Sequence, residues 1–157
     1  MALIMTPFFA LTLAIIELSL PIFLKSTFVN AAREGCRYGV TFQTSYNGTN
    51  YASMTAAITA VVEANSMGFL NASNASLIHV KYYDSTSFAD VTSGTTPNAD
   101  GNILVVSVTG YTYNWINPIN WFYGSTRFSV TGSPLTLSAL SADRLETLPV
   151  GATRPTS

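Results

Sequence analysis

Residues 2–24, ALIMTPFFALTLAIIELSLPIFL, carry a single charged side chain, Glu17. No other stretch restricts the fold so strongly, because a helix of that length reaches about 35 Å and needs apolar surroundings along all of it. Thirteen of these residues are Leu, Ile or Phe. Together they favour membrane insertion by roughly 4–8 kcal/mol, against a cost of about 3 kcal/mol for Glu17, so insertion survives the charge. The run lacks the basic flank and small-residue cleavage site of a removable signal peptide and is expected to stay on the protein. Pro7 and Pro21 each remove a backbone donor. They predict an irregular but continuous helix, with Pro21 marking a bend.

The rest of the chain limits the kind of domain such a helix can carry. Its 157 residues hold one modest domain beside an anchor. Only 10% are charged and the formal net charge is −1, which leaves no basic field for nucleic acid. Ser, Thr, Asn and Tyr must solvate the surface, a composition commoner outside cells and in packed assemblies. The lone Cys36 excludes an internal disulfide, and with the lone His79 it excludes a Cys/His zinc site. Asp84, Asp90 and Asp100 lack the dense spacing of a calcium loop. No nucleophile–base pair, metal cluster or phosphate loop can be assembled, so neither an enzyme nor a cofactor is expected.

After the apolar run comes KSTFVNAAREGCRYGVTF. Small or apolar residues recur at Phe28, Val29, Ala31, Ala32, Gly35, Cys36 and Gly39, with Arg33, Glu34 and Arg37 between them. Glu34 and Arg37 stand one turn apart and are able to pair. This pattern predicts that the helix leaves the bilayer without a break and becomes the spine of a domain. Its small residues admit a close neighbour.

The segment NAAREGCRYGV resembles the AAREGARYA signature of the TadE-like family, pilin-like proteins of tight-adherence pilus systems. IIEL around Glu17 and SADRLE at 141–146 resemble further family segments. The resemblance implies a type IV pilin-like fold, a short basic leader removed by a prepilin peptidase, and export by secretion machinery. A leader removed before Met1 would also explain why Lys25, Arg33 and Arg37 all follow the span, where the positive-inside rule read literally places the domain in the cytoplasm. Met5 stands where the family start carries a glutamate, so a charge that guides subunit docking is missing. Glu17 matches the family's second glutamate. It is either a partner for another subunit's N-terminus or Lys25, or a side chain facing a packed neighbour; an intramembrane carboxylate favours the first.

Further along, YNGTN at 46–50 predicts a turn. TNYASMTAAITAVVEANSMG predicts a helix of about 18 residues, capped by Thr49 or Asn50 and ended by Gly68, with Ala52, Thr55, Ala56, Ile58, Thr59, Val61 and Val62 as its apolar stripe. SLIHVKYYD, NILVVSVTGYTYNWI and STRFSVTGSPLTLSAL predict three strands, the last broken near residues 132–134. A long polar connection joins the first two. The expected fold class is α+β: a long hydrophobic N-terminal helix, a second helix and a small antiparallel sheet. Residues 1–25 form the hydrophobic helix, and 26–157 an extracellular pilin-like domain sharing its continuation. In WINPINWFYG, the aromatics Trp115, Trp121, Phe122 and Tyr123 complete a small core or contact another subunit in preference to binding a ligand. Asn47, Asn71 and Asn74 head N-x-S/T sequons and are candidate glycosylation sites.

The reading that unites these features is a structural subunit of an extracellular pilus-like filament. It is held in the membrane before assembly and polymerises as a helical homo-oligomer through Leu3, Ile4, Met5, Phe8, Phe9, Leu13, Ile16, Glu17, Leu20 and Phe23. The alternatives are a minor pilin-like assembly component and a membrane-anchored surface binding module.

Overall fold

The computed structural model describes residues 2–115, 134–148 and 151–157, apart from the side chains of residues 2–4, 6, 7 and 10. Helix α1, Ala2–Val40, is one continuous element of 39 residues, and Pro21 does not interrupt it. Beyond it, Asn47 and Gly48 both take positive φ (50° and 78°). This pair of left-handed residues makes the tight turn between strands β1 (Ser45–Tyr46) and β2 (Thr49–Asn50).

Helix α2 runs over Met54–Asn65 and is shorter than the pattern predicts. Thr49 and Asn50 are drawn into the hairpin, so the cap passes to Ser53, whose side chain accepts the Ala56 N–H at 3.2 Å. At the other end Ser66 stops the helix before Gly68 is reached. Its hydroxyl donates to Glu63 O (2.6 Å) and accepts the Leu70 N–H (3.0 Å). The buried stripe of α2 is Met54, Ala57, Ile58, Val61 and Val62, while Ala52 and Ala56 face out.

Three antiparallel strands form the main sheet: β3 (Ile78–Tyr83), β4 (Ile103–Tyr113) and β5 (Leu135–Arg144), in the order β3-β4-β5. The polar connection 84–102 closes the β3–β4 hairpin. One face of the sheet is covered by both helices, with α1 against β4 and β5 and α2 against β3. Val80, Tyr82, Leu104, Val106, Val108, Leu137 and Ala139 meet Phe28, Ala31, Ala32, Cys36, Ile58 and Val62 in one core. This is the expected α+β pilin-like layout of long apolar helix, second helix and small antiparallel sheet.

Two backbone features let the layers fit. A Cβ on Gly35 would lie 2.6 Å from Val62 Cγ2, so α2 can lie on α1 only while that position stays bare. On β4, the ladder slips between Val108 and Tyr111, and Gly110 takes φ 81°. A bulge of this kind inserts one residue and reverses the alternation. Leu104, Val106 and Val108 face the helices above it; Tyr111 and Tyr113 turn inward below it. Tyr111 thereby meets Phe28 edge-on with ring centroids 4.8 Å apart.

The C-terminal tail is also packed, which no motif announced. Arg154 donates to Asn98 O (2.6 Å) and pairs with Asp100 (2.7 Å). Its guanidinium stands 5.9 Å from the centre of the Phe42 ring. Thr156 O accepts the Met54 N–H at 2.7 Å, and the Thr156 hydroxyl donates to Ala52 O at 2.8 Å. The tail therefore ties the end of α1, the start of α2 and the β3–β4 connection together.

Candidate functional site

Helix α1 changes surroundings along its length. From Leu24 onward a stripe at helical spacing is enclosed: Leu24, Phe28, Ala31, Ala32, Cys36 and Val40 are all at most 8% exposed. The AAREGCRYG segment owes its composition to this packing. Its Ala, Gly and Cys residues face α2 and the sheet, while Arg33, Glu34 and Arg37 face out. Glu34 and Arg37 border a shallow polar hollow with Tyr38 and Tyr46 and make no ion pair with each other. Cys36 is a packing residue, its thiol donating to Ser141 O at 3.2 Å.

Toward the N-terminus the same helix is uncovered. Met5, Phe8, Phe9, Leu11, Leu13, Ile15, Ile16, Leu18, Ile22 and Phe23 are each between 39% and 70% exposed. Of the residues expected to drive assembly, Met5, Phe8, Phe9, Leu13, Ile16 and Phe23 lie on this bare surface; Leu20 is half-buried against the core. Leu3 and Ile4 belong to α1, but their side chains lie outside the described residues. The polar groups here are already turned inward on the helix. The Thr12 hydroxyl donates to Phe8 O (2.9 Å) and that of Ser19 to Ile16 O (2.7 Å). Such back-bonding leaves neither of these two hydroxyl donors in need of water. By length and composition α1 is able to cross a membrane.

Glu17 sits where the two regimes meet. Its Oε1 is enclosed and has no hydrogen-bond partner among the described residues, and the same holds for the hydroxyl of Tyr113. The two groups are close enough for the carboxylate's charge to be felt. Burial, and then the Glu17 carboxylate, push the Tyr113 phenol above its ordinary pKa. An enclosed acceptor atom without a donor is costly. This helix–sheet seam is therefore a polar spot with unused acceptor capacity at the top of the bare surface. The register reversal at Gly110 puts Tyr113 there. Neither residue alone signals the pairing in sequence.

Of the aromatic cluster, Trp115 is half-buried and packs edge-to-face on Tyr113 at 5.6 Å; Trp121, Phe122 and Tyr123 lie outside the described residues. Two exposed apolar residues belong to no pattern in the sequence. Met67 (71% exposed) and Phe88 (68%) are both held in left-handed backbone, at φ 57° and 55°. The three sequons differ in what their side chains do. Asn47 stands exposed at the hairpin tip. Asn71 accepts the Ser73 N–H (2.9 Å), and the Asn74 amide accepts from Asn71 N (2.7 Å) and donates to Phe69 O (2.9 Å).

The loop carboxylates are likewise engaged within the chain. Asp84 accepts from Thr86 N, Ser87 N and Ser87 Oγ. Asp90 bonds Lys81 at 3.1 Å and the Thr92 N–H at 3.0 Å. Thr92, through hydroxyl and amide, and then Lys81 hold the Asp90 carboxyl down at about 2. His79 is exposed on β3, and no group of three potential metal ligands occurs among the described residues.

Residues 1–37 match the family model described as TadE-like protein, a span that holds the bare helix, Glu17 and the AAREGCR segment together. The resemblance carried by NAAREGCRYGV is thus shown over that span. No curated protein and no solved structure matches the chain.

Proposed function

We propose that this chain is a structural subunit of an extracellular pilus-like filament, in which α1 exchanges a membrane for the helices of neighbouring copies. The observation that supports this most is the bare half of α1. Ten described large apolar side chains stand on it, on a helix whose other half packs one face into the core. Keeping such side chains in water costs on the order of 20 kcal/mol, so the surface is always covered, first by lipid and then by other copies. The TadE-like match over residues 1–37 supports a pilus-associated protein with a membrane stage. In this reading a prepilin peptidase and secretion machinery act on the chain before assembly.

Glu17 supplies the polar contact of the filament core. Its Oε1 has no partner among the described residues, and the carboxylate, turned out of the seam, accepts from the N-terminal ammonium of an adjacent copy. The experiment that tests this replaces Glu17 with Gln and counts sheared filaments against membrane-held protein. The expected result is normal insertion with filament yield reduced about tenfold, the equivalent of about 1.4 kcal/mol per subunit contact. Wild-type yield would remove Glu17 from the assembly contact.

A second reading, a minor assembly component or an anchored binding module, draws on exposed Met67 and Phe88 as contact residues. Exchanging residues 2–20 for an unrelated span separates the two. A filament subunit loses polymerisation, whereas an anchored module keeps its surface activity.

A further inference from the structure

The bare half of α1 is not uniform around its circumference. Leu11, Ile15, Leu18 and Ile22 succeed one another at intervals of four, three and four residues, which aligns them on one face. They are 63%, 61%, 57% and 70% exposed. The next position on that face, three residues on, is Lys25. The stripe therefore runs from hydrocarbon to a single cation.

Beside the upper end of this stripe, the sheet builds the wall of a groove of about 330 Å³. It is lined by Leu18, Ile22 and Lys25 of the helix, by Trp115, and by Leu135 and Thr136 of β5. Lys25 is exposed and has no ion pair among the described residues. A mostly apolar trough with an exposed ammonium and an indole in its lining matches the chemistry of the membrane interface. There Trp sits at headgroup level and Lys extends toward phosphate.

We infer that this groove seats one anionic phospholipid, with its phosphate on Lys25 and an acyl chain along Ile22, Leu18, Ile15 and Leu11. The inference rests on the membrane stage of the function proposed above. Charge complementarity selects lipid over a second copy of the chain. A copy packed in register sets Lys25 against Lys25. The helix has two carboxylates to offer instead: Glu17, which lies off this face with Oε1 enclosed, and Glu34, which stands between Arg33 and Arg37. A phosphodiester carries the missing charge and the matching chain in one molecule.

The test is native mass spectrometry of the full chain purified in mild detergent, titrated with phosphatidylglycerol and, separately, phosphatidylcholine. One phosphatidylglycerol per chain is expected, in preference to phosphatidylcholine. Lys25→Gln should lower occupancy about fivefold, the size of one basic side chain's attraction to anionic lipid, and Lys25→Arg should restore it. Arg33→Gln, which removes an exposed cation away from the groove, should leave occupancy unchanged. An equal loss in Arg33→Gln, or full occupancy in Lys25→Gln, would overturn the site. So would displacement of the lipid by an equal concentration of inorganic phosphate, or a two-chain species that replaces the lipid adduct and depends on Lys25. Counting sheared filaments from the same variants keeps this apart from the assembly reading: filaments from a chain that holds no lipid refute the groove alone.

Discussion

The two halves of α1 share one helix and differ in nearly everything else. Beyond Leu24, small residues let α2 and the sheet close on one side while Arg33, Glu34 and Arg37 keep the other side wet. Before Ile16, large apolar side chains point outward and the Thr12 hydroxyl bonds the helix's own Phe8 carbonyl. One half is thus made specific by its own chain. The other half stays uncovered by the described residues of its own chain. Helical conformation alone separates neither half from the other; side-chain size and the position of charge do.

The sharpest way to break this comparison is to truncate one large side chain in each half. Phe28→Ala should lower domain stability by about 3–5 kcal/mol, since Phe28 is fully buried against Tyr111. Ile15→Ala should change it by less than about 0.5 kcal/mol. Denaturant unfolding in detergent reads both, and similar losses would mean that the bare half is part of the core. Next in size, Leu13→Lys should cost about 3 kcal/mol of membrane insertion. It should leave the fold of residues 24–148 intact, as judged by circular dichroism and glycosylation-mapped insertion.

Arg154→Ala removes the ties to Asn98 and Asp100 and should destabilise the domain by about 1 kcal/mol. It should not alter insertion. The smallest effect concerns pH. Asp90 has its carboxyl depressed to about 2, so its bonds to Thr92 and Lys81 contribute fully above the ordinary range near 4 and are lost as pH falls through about 2. Relative to its intrinsic rate, amide exchange at Thr92 should therefore rise as pH falls through about 2, with Phe28 and its neighbours still protected. Exchange that rises equally in both places would show that acid unfolds the whole domain.

How much of the fold is legible in the sequence depends on how local each cause is. The apolar run, the AAREGCRYG face and the alternation of β3, β4 and β5 are periodicities, and periodicity is written within a few residues. The start of α2 is a competition instead. Thr49, Asn50 and Ser53 are all competent caps, and the Asn47–Gly48 turn decides by recruiting the first two into a hairpin. Gly110 reads as one glycine in a strand, and its effect on Tyr111 and Tyr113 is visible only once the partner strand fixes the register. The closeness of Glu17 and Tyr113 depends on that reversal. The tail's bonds join Arg154 to residues 56 and 54 positions earlier, with no spacing rule to announce them.

The bulge at Gly110 has a consequence for how this domain tolerates insertions and deletions. Strand β4 is two half-strands in opposite phase, so loss of one residue there is not a small trim. It would put the lower half back in step with the upper and turn Tyr111 and Tyr113 away from the helix. The upper core of Leu104, Val106 and Val108 would keep its contacts. The end of the domain beside Glu17 can thus be rewritten by a one-residue change in length, while the end beside Gly39 stays as it was.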